Sequence, residues 1–272
     1  MIRRPPRSTQ GVSSAASDVY KRQVFEEPTM TLEEASQAKL KGICEKLELS
    51  PTDHLLEIGT GWGGLAIYAA QEYGCRVTTT TISKEQYQFA QQRVREEGLT
   101  KLITVLMEDY RDLSGHFSKL VSVEVLEAIG HEFVDTYFQK CSDLLEPDGM
   151  MLVQTITIAD AQYERAKRSV DFIQRYIFPG GSLSSVRILQ RSVARTTDLK
   201  VHHMKDIGPD YAVTLRHWRE RMFAKLADVR SLGYSEEFIR MWEFYFCYCE
   251  GGFIERAIGN EQLLLVKSEY HS

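Results

Sequence analysis

The stretch that decides the fold is His54-Leu55-Leu56-Glu57-Ile58-Gly59-Thr60-Gly61-Trp62-Gly63-Gly64-Leu65. HLLEI reads as a short buried strand, Gly59–Gly64 as a turn, and Leu65–Glu72 as the helix that follows it. Glycines let the backbone approach a ligand closely, and a helix start presents N–H groups that have no partner within the helix. The string E-I-G-x-G-W-G-G departs from the G-x-G-x-x-G spacing of dinucleotide sites. A glycine turn alone also serves purely structural ends, so the whole string carries the reading. Glu57, at the strand end, is an acid suited to the cationic end of a ligand.

Upstream, T-x-x-E at Thr31 opens an amphipathic helix with apolar Leu32, Ala35, Leu40, Ile43, Cys44 and Leu47, stopped by Ser50-Pro51. Downstream the pattern alternates. Strands are expected at Arg76–Thr81, Ile103–Met107, Leu120–Val123 and Met150–Ile158. Helices are expected at Lys84–Glu97 and His131–Leu144, and a Pro147-Asp148-Gly149 turn precedes the last of these strands. Such alternation predicts an α/β fold with a mostly parallel sheet, helices on both faces and the ligand at the carboxyl ends of the first strands. S-adenosylmethionine fits the turn, because it has a cationic amino end and no pyrophosphate.

The bulk numbers exclude several classes. A formal charge of −5 argues against a nucleic-acid partner, and no window approaches the apolar length of a membrane span. Five cysteines without a C-x-x-C pair or a Cys/His cluster predict reduced thiols in a cytoplasmic protein and no structural metal. Residues 1–23 stand apart. They pair prolines, lack periodicity and carry a net charge of +4, leaving the remainder at −9. No apolar core follows their arginines, so they are not a secretory signal, although a transit peptide is an alternative. They resemble translated adapter sequence and are expected to be a disordered tail ahead of a domain over 24–272.

From Val24 onward the chain resembles the cyclopropane-fatty-acid synthase family, which includes the mycolic-acid cyclopropane synthases. The stretches that carry the resemblance are FEEPTMTLEEASQAKLKGICEKLEL, LLEIGTGWGGLAIYAA, TISKEQYQFAQQRV, EDYRDL, VSVEVLEAIGHEF, VDFIQRYIFPGGSLSS, DYAVTLRHW and FYFCYCEGGFIER. The resemblance implies a Rossmann-like class I methyltransferase with a seven-stranded, mostly parallel sheet. It also implies a helical, lipid-binding cap inserted over about 159–260. Its implied cofactor contacts are Glu57, Gly59 and Gly61 for the methionine portion, Thr81 with Gln86 for the ribose, and Asp109 and Tyr110 for the adenine. Thr78–Thr80 also read as plain strand formers.

In the family, methyl transfer to a cis double bond leaves a carbocation that loses a proton to bound bicarbonate. By motif, Glu127, Gln154, Ile156 and Tyr211 would surround that base. Glu127 would accept its hydroxyl, while Tyr211 and Gln154 would donate to its oxygens. Phe172, Tyr176, Trp218, Phe244 and Tyr245 offer aromatic faces to a cation, or simply pack. Cys249 matches the family's C-terminal cysteine. It reads as a small residue near an acyl tunnel more readily than as a nucleophile, since no base pattern accompanies it. Two departures stand out. Gln154 replaces the family's common histidine, and Arg22 stands where a cysteine beside the bicarbonate is usual.

The second half is expected to hold a helix at Gln162–Ile177, a Phe178-Pro179-Gly180-Gly181 turn, long helices around Tyr211–Arg230 and Ser235–Arg256, and an edge strand at Gln262–Lys267. Arg187, Arg191 and Arg195 form a row at four-residue spacing that meets lipid phosphate or simply faces solvent. The implied reaction is cyclopropane formation on an unsaturated phospholipid. Alternatives are alkene methylation without ring closure and small-amine N-methylation, and Glu127 with Tyr211 argue against the last. A homodimer reversibly associated with the membrane surface is the family expectation. A non-enzymatic chain that only binds lipid or cofactor is the remaining reading. With residues 1–23 as they stand, slow turnover is expected. Replacing them with a family-like N-terminus should raise methyl transfer from labelled cofactor, and equal rates in the two proteins would refute the expectation.

Overall fold

Thr31 opens the first helix with a full capping box. Its hydroxyl accepts from the Glu34 N–H, and the Glu34 carboxylate accepts from the Thr31 N–H at 2.8 Å. Helix α1 (Leu32–Lys46) buries Leu32, Ala35, Ile43 and Cys44, the apolar face that its periodicity predicts. The computed structural model describes residues 29–271. The expected tail over 1–23 therefore lies outside the described residues. The chain forms two compact units, one ending at Tyr110 and one beginning at Arg111.

The first unit continues with β1 (His54–Ile58), α2 (Gly64–Tyr73), β2 (Arg76–Thr80), α3 (Lys84–Glu96) and β3 (Ile103–Leu106). Strand β2 pairs in parallel with β1 on one side and β3 on the other. Strand β1 buries Leu55, Leu56, Glu57 and Ile58 in succession, as a strand covered on both faces does, whereas β2 is mostly threonine. Positive φ angles at Gly59, Gly61 and Gly63 turn the chain from β1 into α2. Gly63 is also packed tightly, since a Cβ there would lie 3.3 Å from that of Ala90. Ser83 caps α3 through the Gln86 N–H.

The second unit contains β4 (Phe117–Val123), α4 (Leu126–Ile129), α5 (Val134–Asp143), β5 (Leu145–Ile158) and α6 (Asp160–Ala166). After these come α7 (Val186–Thr196), β6 (Lys200–Asp206), α8 (Gly208–Ala224), α9 (Leu226–Ser231), α10 (Glu236–Ile254) and β7 (Ile258–Val266). Strand β5 runs parallel to β4 and antiparallel to β7, and β7 also pairs antiparallel with β6. With the three strands of the first unit this makes seven.

Several expectations are corrected here. The strand at the C-terminus is not an edge: β7 lies between β5 and β6, and β6 forms the edge. Strand β6 escaped the sequence reading because every residue in Lys200–Asp206 is exposed, so no buried alternation marks it. Pro147-Asp148-Gly149 does not precede a strand but sits inside β5 as a bulge, where the register jumps from Phe117↔Leu145 to Lys119↔Met150. The helix expected at Gln162–Ile177 is broken into α6 and a π-helical turn at Ile173–Ile177. Asp171 restarts the chain there, exchanging hydrogen bonds with Gln174 at 2.9 and 3.0 Å. The helix expected to run from Tyr211 to Arg230 breaks at Lys225 between α8 and α9.

Gly149 is fitted to its bulge by space alone. A Cβ there would lie 3.0 Å from the Glu146 carbonyl, 3.0 Å from Leu145 Cδ2 and 3.1 Å from the Ser118 carbonyl. Two of these neighbours are backbone and cannot rotate away. Gly149→Ala is expected to destabilise the protein by about 1–3 kcal/mol, measured by urea denaturation.

Candidate active site

In the first unit, Glu57 lies next to the end of β1 with its carboxylate buried. Register pairing places Thr79 of β2 beside it. Thr79 Oγ1 donates to Glu57 Oε2 at 2.6 Å and lies 2.7 Å from Thr60 Oγ1. Burial pushes the Glu57 carboxyl up to about 8, against the opposing pull of the Thr79 hydrogen bond and the Lys39 charge. A carboxylate so desolvated gains most from a cation, which is what an α-ammonium group supplies. Thr60 and Thr79 were not singled out as site residues in the sequence, where Thr79 reads as an ordinary strand former. Only the parallel register of β1 and β2 marks it.

Thr81 and Gln86 are brought together, with Thr81 Oγ1 donating to Gln86 Oε1 at 2.8 Å. Both follow the carboxyl end of β2, where a ribose diol would find one hydroxyl and one amide. Asp109 and Tyr110 lie beyond the end of β3 and are half-buried. Two further residues sit just past these strand ends with apolar side chains in solvent: Ile82 is 79% exposed and Met107 is 53% exposed. Nothing in the sequence distinguishes them from core residues.

In the second unit, the structure brings Glu127 and Ile156 into direct contact, the Ile156 N–H donating to Glu127 Oε1 at 2.6 Å. Glu127 lies in α4, held by the Ser182 N–H, which donates to the Glu127 carbonyl at 2.8 Å. Tyr211 in α8 is buried in an apolar cluster with Leu215, Tyr245, Phe246 and Phe253, and Ile156 and Cys249 pack against that cluster. The Tyr211 ring meets Phe253 edge-on at 4.6 Å and Trp218 at 6.0 Å. The aromatic residues named in the sequence divide accordingly. Tyr245 is buried, Phe172 and Trp218 line the cluster, and Tyr176 and Phe244 are exposed.

Gln154 belongs to a different group. Fully buried on β5, it donates to Glu124 Oε1 at 3.0 Å and accepts from Gln262 Nε2 at 2.9 Å. Asn260 Nδ2 donates to the same Glu124 oxygen at 3.0 Å. Glu124 sits in left-handed backbone, φ 58°, a conformation that costs a side chain other than glycine about 1–2 kcal/mol. This network fixes the orientation of the Gln154 amide. Sequence reading missed Glu124, Asn260 and Gln262, whose network with Gln154 joins strands β5 and β7 to the loop after β4. The arginine row is partly neutralised: Arg187 pairs with Asp160 at 3.8 Å and Arg195 with Asp135.

The chain matches the family model described as mycolic acid cyclopropane synthetase over residues 15–263. It belongs to that family. The synthetase family relatives include the cyclopropane-fatty-acyl-phospholipid synthase of Escherichia coli K12, 42% identical over 84% of this chain and 56% of that protein. They also include the tuberculostearic acid methyltransferase UfaA1 of Mycobacterium tuberculosis, 36% identical over 89% of this chain and 57% of that protein. The chain thus spans little more than half the length of these relatives. Among solved structures, mycolic acid cyclopropane synthase CmaA1 complexed with SAH and CTAB superposes with a TM-score of 0.86. It is 29% identical, covering 96% of this chain and 95% of that one. The chain therefore has the Rossmann-like class I methyltransferase fold that the family resemblance implied, with the α/β alternation read from its elements.

The raised Glu57 carboxyl has a consequence for stability. The folded protein binds this proton more tightly than the unfolded chain does. Its contribution is therefore complete below the ordinary value of 4.5 and is lost as pH rises toward 8. Glu57→Gln is expected to remove that part of the pH dependence. Thermal unfolding of the ligand-free protein should fall between pH 5 and 8 more steeply in the wild type than in the variant.

Proposed function

We propose that this chain transfers a methyl group from S-adenosylmethionine to the cis double bond of an unsaturated acyl lipid and closes a cyclopropane ring. The observation that carries the reading is the Glu127 carboxylate drawn onto the Ile156 N–H beside an apolar, aromatic cluster. Bound S-adenosylmethionine supplies an electrophilic methyl group. Glu57 meets the ammonium end, the Gly59–Gly64 turn allows close backbone approach, and Thr81 with Gln86 holds the ribose.

Methylation of an alkene leaves positive charge on the acyl chain, and ring closure requires loss of a proton from the new methyl group. An apolar aromatic surround keeps water, which would capture the cation, away from it. Ring faces such as that of Tyr211 stabilise positive charge by about 0.5–2 kcal/mol each. Bicarbonate is the proposed base. Glu127 and the Ile156 N–H, which bond each other in this structure, are an acceptor and a donor that bicarbonate would bridge by replacing that bond, having one O–H to give and oxygens to receive. Tyr211 adds a hydroxyl donor. Gln154 contributes through its fixed amide but, unlike a histidine, has no proton to titrate.

A second reading shares every residue and differs only in the fate of the cation: loss of a proton from a chain carbon leaves a methyl-branched alkene, and a 1,2-hydride shift followed by loss of a methyl proton leaves a methylene chain. The 36% identity to a relative named for tuberculostearic acid methylation supports keeping it. Methyl-labelled S-adenosylmethionine with unsaturated phospholipid vesicles, followed by mass spectrometry of the fatty acids, separates the two. A labelled cyclopropane acid is expected. A labelled branched or methylene acid selects the second reading, and labelled amines without labelled lipid overturn both. Glu127→Gln should lower turnover by about 10²-fold or more, with calorimetric cofactor affinity retained because the contacts proposed for the cofactor lie elsewhere in the chain.

A further inference from the structure

The second unit exposes a group of aromatic side chains that none of its own elements covers. Phe244 and Tyr248, one turn apart on α10, stack with ring centroids 5.7 Å apart. Phe172 meets Phe244 edge-on at 4.7 Å, Tyr248 at 6.2 Å and Tyr176 at 5.6 Å. Tyr176, Phe178, Phe244, Tyr248 and nearby Val170 are each between 46% and 74% exposed. Leaving that much contiguous apolar surface in water is unfavourable, and such patches mark contact sites.

Two observations identify the occupant. The first is continuity. Phe172 reaches the exposed rings on one side and packs on the other against the cluster that holds Tyr211, with Ile156 and Cys249 against the same cluster. Phe178 likewise touches buried Tyr245 at 6.2 Å. Apolar side chains are therefore continuous from the exposed rings to the residues proposed to act on the acyl chain. The second is charge. Exposed Arg165, Lys167 and Arg175 belong to the same surface segment, and the Arg175 guanidinium lies 5.5 Å from the Tyr176 ring. Of the nearby acids, Glu164 pairs with Arg168, Asp171 accepts from the Gln174 N–H, and Glu243, next to Phe244, is exposed, so the three cations outnumber Asp171 and Glu243. The arginine row on α7, by contrast, is partly neutralised by Asp160 and Asp135.

We propose that this aromatic patch, rather than the α7 arginine row, seats the protein on the surface of an anionic phospholipid bilayer and admits an acyl chain toward the Tyr211 cluster. The inference rests on the lipid reading above. Aromatic rings with polar edges partition to the headgroup boundary. Long cationic side chains lie with their stems on apolar surface and their heads at the phosphates. Seating of this kind is peripheral and reversible.

The test is co-sedimentation of the full chain with vesicles of phosphatidylglycerol or of phosphatidylcholine, without cofactor, so that binding is read independently of methyl transfer. The wild type should bind phosphatidylglycerol vesicles, and binding should weaken with salt. Phe244→Ser/Tyr248→Ser should weaken partition about tenfold or more with an unchanged melting temperature, since both side chains are half in solvent. Arg165→Gln/Lys167→Gln/Arg175→Gln, which leaves the rings in place, should lose about fivefold per charge removed and most of the salt dependence. Wild-type binding retained in both variants, or no wild-type binding to either vesicle, overturns the proposal. So does a wild-type dimer in light scattering that the Phe244/Tyr248 variant dissociates, with vesicle binding unchanged, which would make the patch a contact between copies. A chain that binds vesicles through the patch yet transfers no methyl group to lipid leaves the seating intact and removes the function.

Discussion

A carboxylate cannot sit in an apolar interior without donors or a cation, and both units of this protein are arranged around that constraint. In the first, Glu57 lies next to the end of a strand whose Leu55, Leu56 and Ile58 are core. Its nearest help is neutral: the Thr79 hydroxyl, placed by register, with Thr60 behind it. Donors of that kind do not offset full burial, which is why the carboxyl is raised to about 8. On the proposed function that strand end receives the ammonium group of the cofactor, and the positive-φ glycines next to it turn the chain into α2.

The second unit meets the same problem differently, with internal hydrogen bonds to Glu124 and Glu127, while burial pushes Glu261 on β7 up to about 7. Glu124 takes hydrogen bonds from Gln154 and Asn260, and Glu127 takes the Ile156 N–H. Strand β5 supplies Gln154 and Ile156 two residues apart, so both side chains point to one face of the sheet while Thr155 points to the other. Antiparallel pairing with β7 then places Gln262 opposite Gln154 and Asn260 opposite Ile156. The β5 bulge absorbs extra residues at Glu146–Gly149 and lets regular pairing with β4 resume at Lys119↔Met150. Local backbone irregularity upstream therefore underlies the alignment of the polar residues downstream.

The lipid-facing character proposed for this half follows from composition as much as geometry. Helix α10 carries EFYFCYC across its centre, more aromatic surface than one buried face can hold. Tyr245 and Phe246 turn inward to the Tyr211 cluster, while Phe244 and Tyr248 are left outward. A helix that is apolar on most of its circumference needs a partner on each side. One side has the protein core. The other, on the reading offered here, has a bilayer.

Much was legible in the sequence wherever the signal was local. The Thr31 capping box, the HLLEI strand and the glycine turn are each decided by a few adjacent residues, and they appear within a residue or so of where they were expected. The pairing of Thr81 with Gln86 spans five residues and was also within reach. The chain's family, and with it the class I methyltransferase fold, is likewise written in contiguous motifs. What escaped depends on partners far away along the chain. The Glu124–Asn260 bond joins residues 136 apart and the Gln154–Gln262 bond residues 108 apart. Strand β6 has no apolar alternation, so only pairing with β7 makes it a strand. Whether an aromatic residue on α10 is core or surface depends on what lies against it. By itself the sequence determined the elements and the chemical types available, because caps, turns and periodicity act over a few residues. The tertiary structure decided which of those groups meet, because register and sheet order join segments that no local signal connects.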